Sequence, residues 1–164
     1  MSGFVINLGT LPAGRGRIRA VAEPSQLDLP AAVWPGEVRG DLGIDRTGEL
    51  LSVRGTVQAT ARLECVRCLE EFDLPLEAEL AVVADRAGGP RRLEEDLEAG
   101  SYMKFHDGRQ LDLGEETREA LLLELPITPH CREDCRGLCP RCGANRNQGP
   151  CRCERARAGA GPAE

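Results

Sequence analysis

Eight cysteines stand in this chain: Cys65, Cys68, Cys131, Cys135, Cys139, Cys142, Cys151 and Cys153. Two of the spacings, Cys65-x-x-Cys68 and Cys139-x-x-Cys142, let one tight turn aim a pair of thiolates at a single ion. Zinc closes its structural sites with four soft ligands in a tetrahedron. The strongest local set is Cys139, Cys142, Cys151 and Cys153. Gly143 follows the second ligand and frees the backbone to turn, and a loop through Asn145, Asn147 and Gly149 returns the chain toward Cys151. The i, i+2 spacing of Cys151 and Cys153 places both on one side of an extended backbone. The remaining Cys65, Cys68, Cys131 and Cys135 suit a second tetrahedral site that clips the C-terminal segment to a distant hairpin, with His130 as a substitute for Cys131. One or two Zn2+ ions are expected.

Three other uses of the thiols compete with metal. Disulfides are disfavoured because no stretch suits a bilayer span and the N-terminus lacks a basic-then-apolar leader, which points to a cytoplasmic chain whose thiols stay reduced. Free buried thiols suit Cys65, which continues an apolar stripe. A redox pair belongs at a helix N-terminus in a βαβ setting, not at a hairpin tip.

Acid–base chemistry has few carriers. The only histidines are His106 and His130. His106, before Asp107-Gly108, reads as an exposed turn residue, and His130 as a neighbour of a metal ligand. There is no phosphate-binding glycine loop, no Gly-x-Ser-x-Gly and no His-Glu-x-x-His. All-cysteine sites also leave no open coordination position. A protein that is not an enzyme, without a small-molecule substrate, is expected.

The elements that position the cysteines show in the apolar pattern. Phe4–Leu8 suits a first strand, and residues 9–36, with four prolines, suit short strands and loops. Val38, Leu42 and Ile44 share even positions; Leu51, Val53, Val57, Ala59, Ala61, Leu63 and Cys65 share odd ones. After Cys68 the parity changes to Phe72, Leu74, Leu76, Ala78, Leu80 and Val82. Period-2 alternation in two consecutive runs predicts an antiparallel hairpin tipped by Cys65-Val66-Arg67-Cys68. Pro75 argues against a central position for its second strand. A short strand near Tyr102–Phe105 precedes a helix near 113–125, capped by Asp112 with Glu115 and stopped by Pro126. The fold expected is α+β and β-rich: an antiparallel sheet with one C-terminal helix, followed by a cysteine-rich zinc-binding tail. Residues 1–126 make the body, with a mobile loop near 84–100; residues 127–157 bind metal; residues 158–164 form a disordered tail.

The formal charge of −6 is uneven. Cys131–Arg157 holds seven arginines against three carboxylates, a net of +4, so the rest carries −10. A basic end on an acidic body suits a contact with phosphate or with an acidic protein, and a solvated tail accounts for the composition equally well. The arginines placed for that contact are Arg67, Arg136, Arg141, Arg146 and Arg152. Five aromatic residues in all leave little for base stacking.

Three segments resemble the YceD family: Leu63-Glu64-Cys65-Val66-Arg67-Cys68-Leu69-Glu70-Glu71-Phe72, Glu124-Leu125-Pro126-Ile127-Thr128-Pro129, and His130 through Asn145 with its four cysteines. The likeness covers roughly residues 38–153. It departs from the family pattern at Asn145-Arg146-Asn147, where an apolar residue is expected between the asparagines. The resemblance implies a bacterial cytoplasmic protein supporting accumulation of large-subunit ribosomal RNA, acting in ribosome biogenesis by binding ribosomal RNA or a ribosome-assembly protein. A protein–protein adaptor with purely structural zinc and a thiol redox switch remain the alternatives.

Overall fold

The computed structural model describes residues 3–11, 13–86 and 103–158. The chain forms two compact units: Met1–Ala61 with Pro75–Leu125, and Arg62–Leu74 with Pro126–Glu164. The second unit therefore takes the hairpin tip as well as the cysteine-rich segment.

The architecture is β-rich. In the first unit β1 (Val5–Asn7) pairs antiparallel with β7 (Gln110–Asp112), setting Ile6 opposite Leu111. A five-stranded sheet runs in the order β2 (Gly14–Ala22), β3 (Val38–Thr47), β4 (Leu50–Glu64), β5 (Glu71–Arg86) and β6 (Lys104–His106). β2, β3 and β4 are antiparallel neighbours. β6 instead joins β5 in parallel, over Ala84–Arg86. The sheet is thus mixed rather than wholly antiparallel, a pairing that a tight hairpin turn cannot make.

Alternation places the core. Val38, Leu42 and Ile44 on β3, Leu51, Val53 and Val57 on β4, and Ala78, Leu80 and Val82 on β5 are all buried. A side-chain period of two sends each set to a single face of its strand. Among the described residues β6 covers β5 only at its far end, so Pro75 sits where its missing N–H costs no ladder bond on that side. The loop expected near 84–100 begins later, since positions 84–86 belong to β5; the rest of it, and the tail from 159, lie outside the described residues.

The helix near 113–125 is α1 (Gly114–Leu123), with Leu113 at its N-cap. Asp112 does not form the expected capping pair with Glu115. Its Oδ1 accepts the N–H of Gly114 at 2.8 Å from the last residue of β7. Leu113 and Leu121 are buried, as the apolar face requires, and so is Glu116, whose carboxylate meets Lys104 Nζ at 2.6 Å.

His106 corrects the sequence reading. It is 5 % exposed rather than an open turn residue. Its Nδ1 accepts the N–H of Gly108 at 3.0 Å, so Nε2 carries the proton and donates to the Glu49 carbonyl at 3.0 Å. Among the described residues no helix is long and apolar enough to cross a membrane.

Candidate metal centre

The tip of the β4–β5 hairpin is a tight turn. Leu69 N–H donates to the Cys65 carbonyl at 2.9 Å, and Cys65 N–H donates to the Glu70 carbonyl at 2.9 Å. The same turn recurs downstream: Gly143 N–H donates to the Cys139 carbonyl, and Cys139 N–H to the Ala144 carbonyl, both at 2.8 Å. The residue after the second cysteine is left-handed in each, Leu69 at φ 59° and Gly143 at φ 71°. One backbone solution therefore serves both Cys-x-x-Cys pairs.

Each pair meets a second one inside the second unit. Cys65, Cys68, Cys131 and Cys135 form one group; Cys139, Cys142, Cys151 and Cys153 form the other. Within each group the sulfurs lie within 4.8 Å of one another. A tetrahedron with ligands about 2.3 Å from its centre has edges of about 3.8 Å. The Cys65–Cys135 and Cys68–Cys131 sulfurs stand 3.8 and 3.7 Å apart, which fits that edge and far exceeds a disulfide bond. The donor set is thus the right size, number and softness for a closed metal site. His130 belongs to neither group.

The two groups differ in setting. In the first, Cys65, Cys68 and Cys135 are buried, and with Phe72 and Cys131 they form a small apolar cluster of their own. In the second, Cys139 and Cys151 are buried while Cys142 is exposed. Cys153 is not in extended backbone. It lies in the first turn of α2 (Arg152–Ala158), just after Cys151. The helical turn brings the i, i+2 pair into one sulfur group where an extended strand was expected.

Neighbouring groups hold these turns in place. The Arg67 guanidinium donates to the carbonyls of Glu133 at 3.3 Å and Cys135 at 3.2 Å. Leu138 N–H donates to the Arg67 carbonyl at 3.1 Å. Asn147 Nδ2 donates to Cys135 Sγ at 3.3 Å. Gly137 has φ 68°, and a Cβ there would lie 2.9 Å from the Arg67 carbonyl oxygen. Gly143 is equally left-handed, but a Cβ there meets nothing within 4 Å. Gly143→Ala is therefore expected to cost about 1 kcal/mol, the strain alone, and Gly137→Ala about 2–3 kcal/mol because backbone must also move. Chemical denaturation of the two variants checks that order.

The thiols ionise unequally. Burial opposes charge on Cys65, yet the N–H groups of Cys131, Cys68 and Arg67 outweigh it and bring the thiol down to about 6. The N–H groups of Cys142 and Arg141 bring Cys139 to about 6 as well. The Asn147 amide lowers Cys135. Burial, then the thiols of Cys135 and Cys68, push Cys131 up to about 12. A first thiolate in each set thus makes the later ones harder to form. Ion binding must still expel the other protons. Proton release is expected to accompany ion binding and to grow as pH falls. Calorimetry in buffers of different ionisation enthalpy counts the protons released.

The arginines divide. Arg67 is engaged with backbone carbonyls, and Arg146 pairs with Glu154. That pair accounts for a charged residue between Asn145 and Asn147 where an apolar one was expected. Arg136, Arg141 and Arg152 are exposed and make no ion pair among the described residues. Sequence reasoning placed Asn147 only in a return loop and did not foresee its sulfur contact.

The profile of the family described as "Large ribosomal RNA subunit accumulation protein YceD" matches residues 53–160, which contain all eight cysteines. The chain belongs to the YceD family. Curated relatives include an uncharacterized protein of Mycobacterium leprae, 31% identical over 119 residues, covering 73% of this chain and 54% of that protein. An uncharacterized Mycobacterium tuberculosis protein is 38% identical over 106 residues, covering 63% and 48%. The Arabidopsis thaliana "Large ribosomal RNA subunit accumulation protein YCED homolog 1, chloroplastic" is 26% identical over a 175-residue alignment, covering 92% and 54%. The chain spans about half the length of these relatives. No solved structure matches it. The YceD match begins within β4 and so takes in the hairpin tip and both cysteine groups but not β1–β3.

Proposed function

We propose that this protein supports accumulation of large-subunit ribosomal RNA as a binding factor of the bacterial cytoplasm, with two Zn2+ ions folding an arginine-bearing unit that contacts RNA phosphate. The observation that carries this reading is the pair of four-sulfur groups, of tetrahedral size, in the unit that exposes Arg136, Arg141 and Arg152. The family name supplies the ribosomal setting. Zinc fits because the donors are all thiolates in closed sets of four. Such sets leave no open coordination position, and His106 has both ring nitrogens engaged, which supports binding rather than catalysis. Three guanidinium groups with no ion pair among the described residues suit phosphate-backbone contact more than base reading, given so few aromatics.

A protein–protein adaptor is the second reading. It is favoured by Leu123, 84 % exposed at the end of α1 beside the acidic Glu119 and Glu124. Affinity capture from lysate with and without nuclease separates the two. Ribosomal RNA lost on nuclease treatment supports the first reading; a protein partner retained through it supports the second.

A further inference from the structure

Residues 143–150 span the gap between Cys142 and Cys151, and several of them reach the other cysteine group. Asn147 Nδ2 donates to Cys135 Sγ at 3.3 Å, while its Oδ1 accepts the N–H of Arg136 at 2.7 Å. Asn145 Oδ1 fixes Asn147 by accepting its backbone N–H at 2.9 Å. Arg146 N–H donates to the Gly137 carbonyl at 2.9 Å. Gln148 Nε2 donates to Glu70 Oε1 at 3.3 Å, two residues beyond Cys68. The loop closed by one metal set thus supplies the hydrogen bonds around the other.

We propose that Asn147 is a positioning residue that couples the two metal sites, so that the ions load with positive cooperativity. The proposal rests on reading both groups as metal centres. Capture of an ion by Cys139, Cys142, Cys151 and Cys153 closes the eight-residue loop and removes most of its conformational freedom. The closed loop delivers an N–H donor to Cys135. A thiolate that accepts such a bond repels its three neighbouring sulfurs less, and outer contacts of this kind change metal affinity by about 10–100-fold. Linkage makes the effect reciprocal: an ion at Cys65, Cys68, Cys131 and Cys135 strengthens the other site by the same factor. Were the loop mere packing, loss of the Asn147 amide would act alike whether or not the neighbouring site is filled.

The test uses the full chain and Zn2+, with a chromophoric chelator as competitor and native mass spectrometry to count ions. Asn147→Ala is expected to weaken the site at Cys65, Cys68, Cys131 and Cys135 by about tenfold. In a Cys142→Ser/Cys153→Ser background, which cannot close the loop on an ion, that site is already weakened and Asn147→Ala changes it little further. Equal losses in the two backgrounds, or no loss in either, overturn the coupling. Should the alanine variant fold poorly, Asn147→Asp is nearly isosteric, keeps the acceptor for Arg136 and removes the donor. Co2+ in its place is expected to show a shifted thiolate charge-transfer band only when both sites are intact; an unshifted band overturns the proposal. Two ions bound independently refute the coupling alone, whereas a chain that binds no ion refutes the metal reading itself.

Discussion

Stripping the metal with a strong chelator is expected to unfold the second unit and leave the first standing. The apolar cluster of the second unit consists of Cys65, Cys68 and Cys135 with Phe72 and Cys131 packed against them, so its core is largely its own ligand set. Take away the ion and several thiols with opposed ionisation preferences must share one small cluster. Structural zinc binding carries about 10–16 kcal/mol of apparent free energy, and in such units that energy is the folding energy. The first unit has an independent core of Leu, Val and Ala on β3, β4 and β5, with Trp34 only 2 % exposed within it. Its single tryptophan is a built-in reporter. The expected result is unchanged Trp34 fluorescence together with lost amide protection at residues 62–74 and 126–158. Protection that survives chelation in that unit would contradict the account.

The second large effect concerns charge. Replacing Arg136, Arg141 and Arg152 together by alanine is expected to lower the slope of log affinity against log salt for ribosomal RNA by about two to three, since each phosphate contact contributes about 0.7–0.9. At low salt the affinity is expected to fall by about tenfold or more. Arg67→Ala should behave differently. Its Nη1 also holds the carbonyls of Glu133 and Cys135, so its loss should weaken metal retention, which loss of the other three should not. Filter retention across a salt series, beside metal content, separates the two kinds of arginine.

How much of this was written in the residue order depends on the range of each contact. Parity along Leu51–Ala61 and Ala78–Val82 reports a local period, so the hairpin and its buried face were legible. Cys-x-x-Cys is local as well, and identifies both turns. What pairs with each turn is a long-range matter, and four leftover thiols limited the possibilities enough to suggest the grouping. The parallel pairing of β5 with β6 has no local signature, because no tight hairpin turn makes it. His106 misled because its Nε2 meets the Glu49 carbonyl, 57 residues away in sequence, a contact that no local pattern shows. Cys151 and Cys153 looked extended because spacing alone does not distinguish a strand from the first turn of a seven-residue helix. The contacts of Arg67 and Arg146 were not legible because charge pattern does not show which guanidinium meets a carbonyl or a carboxylate.

Metal counting by native mass spectrometry on the reduced chain bears most directly on the central claim. Two zinc ions per chain, falling to one when Cys68 and Cys131 are both changed to serine and to one when Cys142 and Cys153 are, is the predicted result. A chain that carries no ion yet keeps residues 62–74 and 126–158 folded would contradict it.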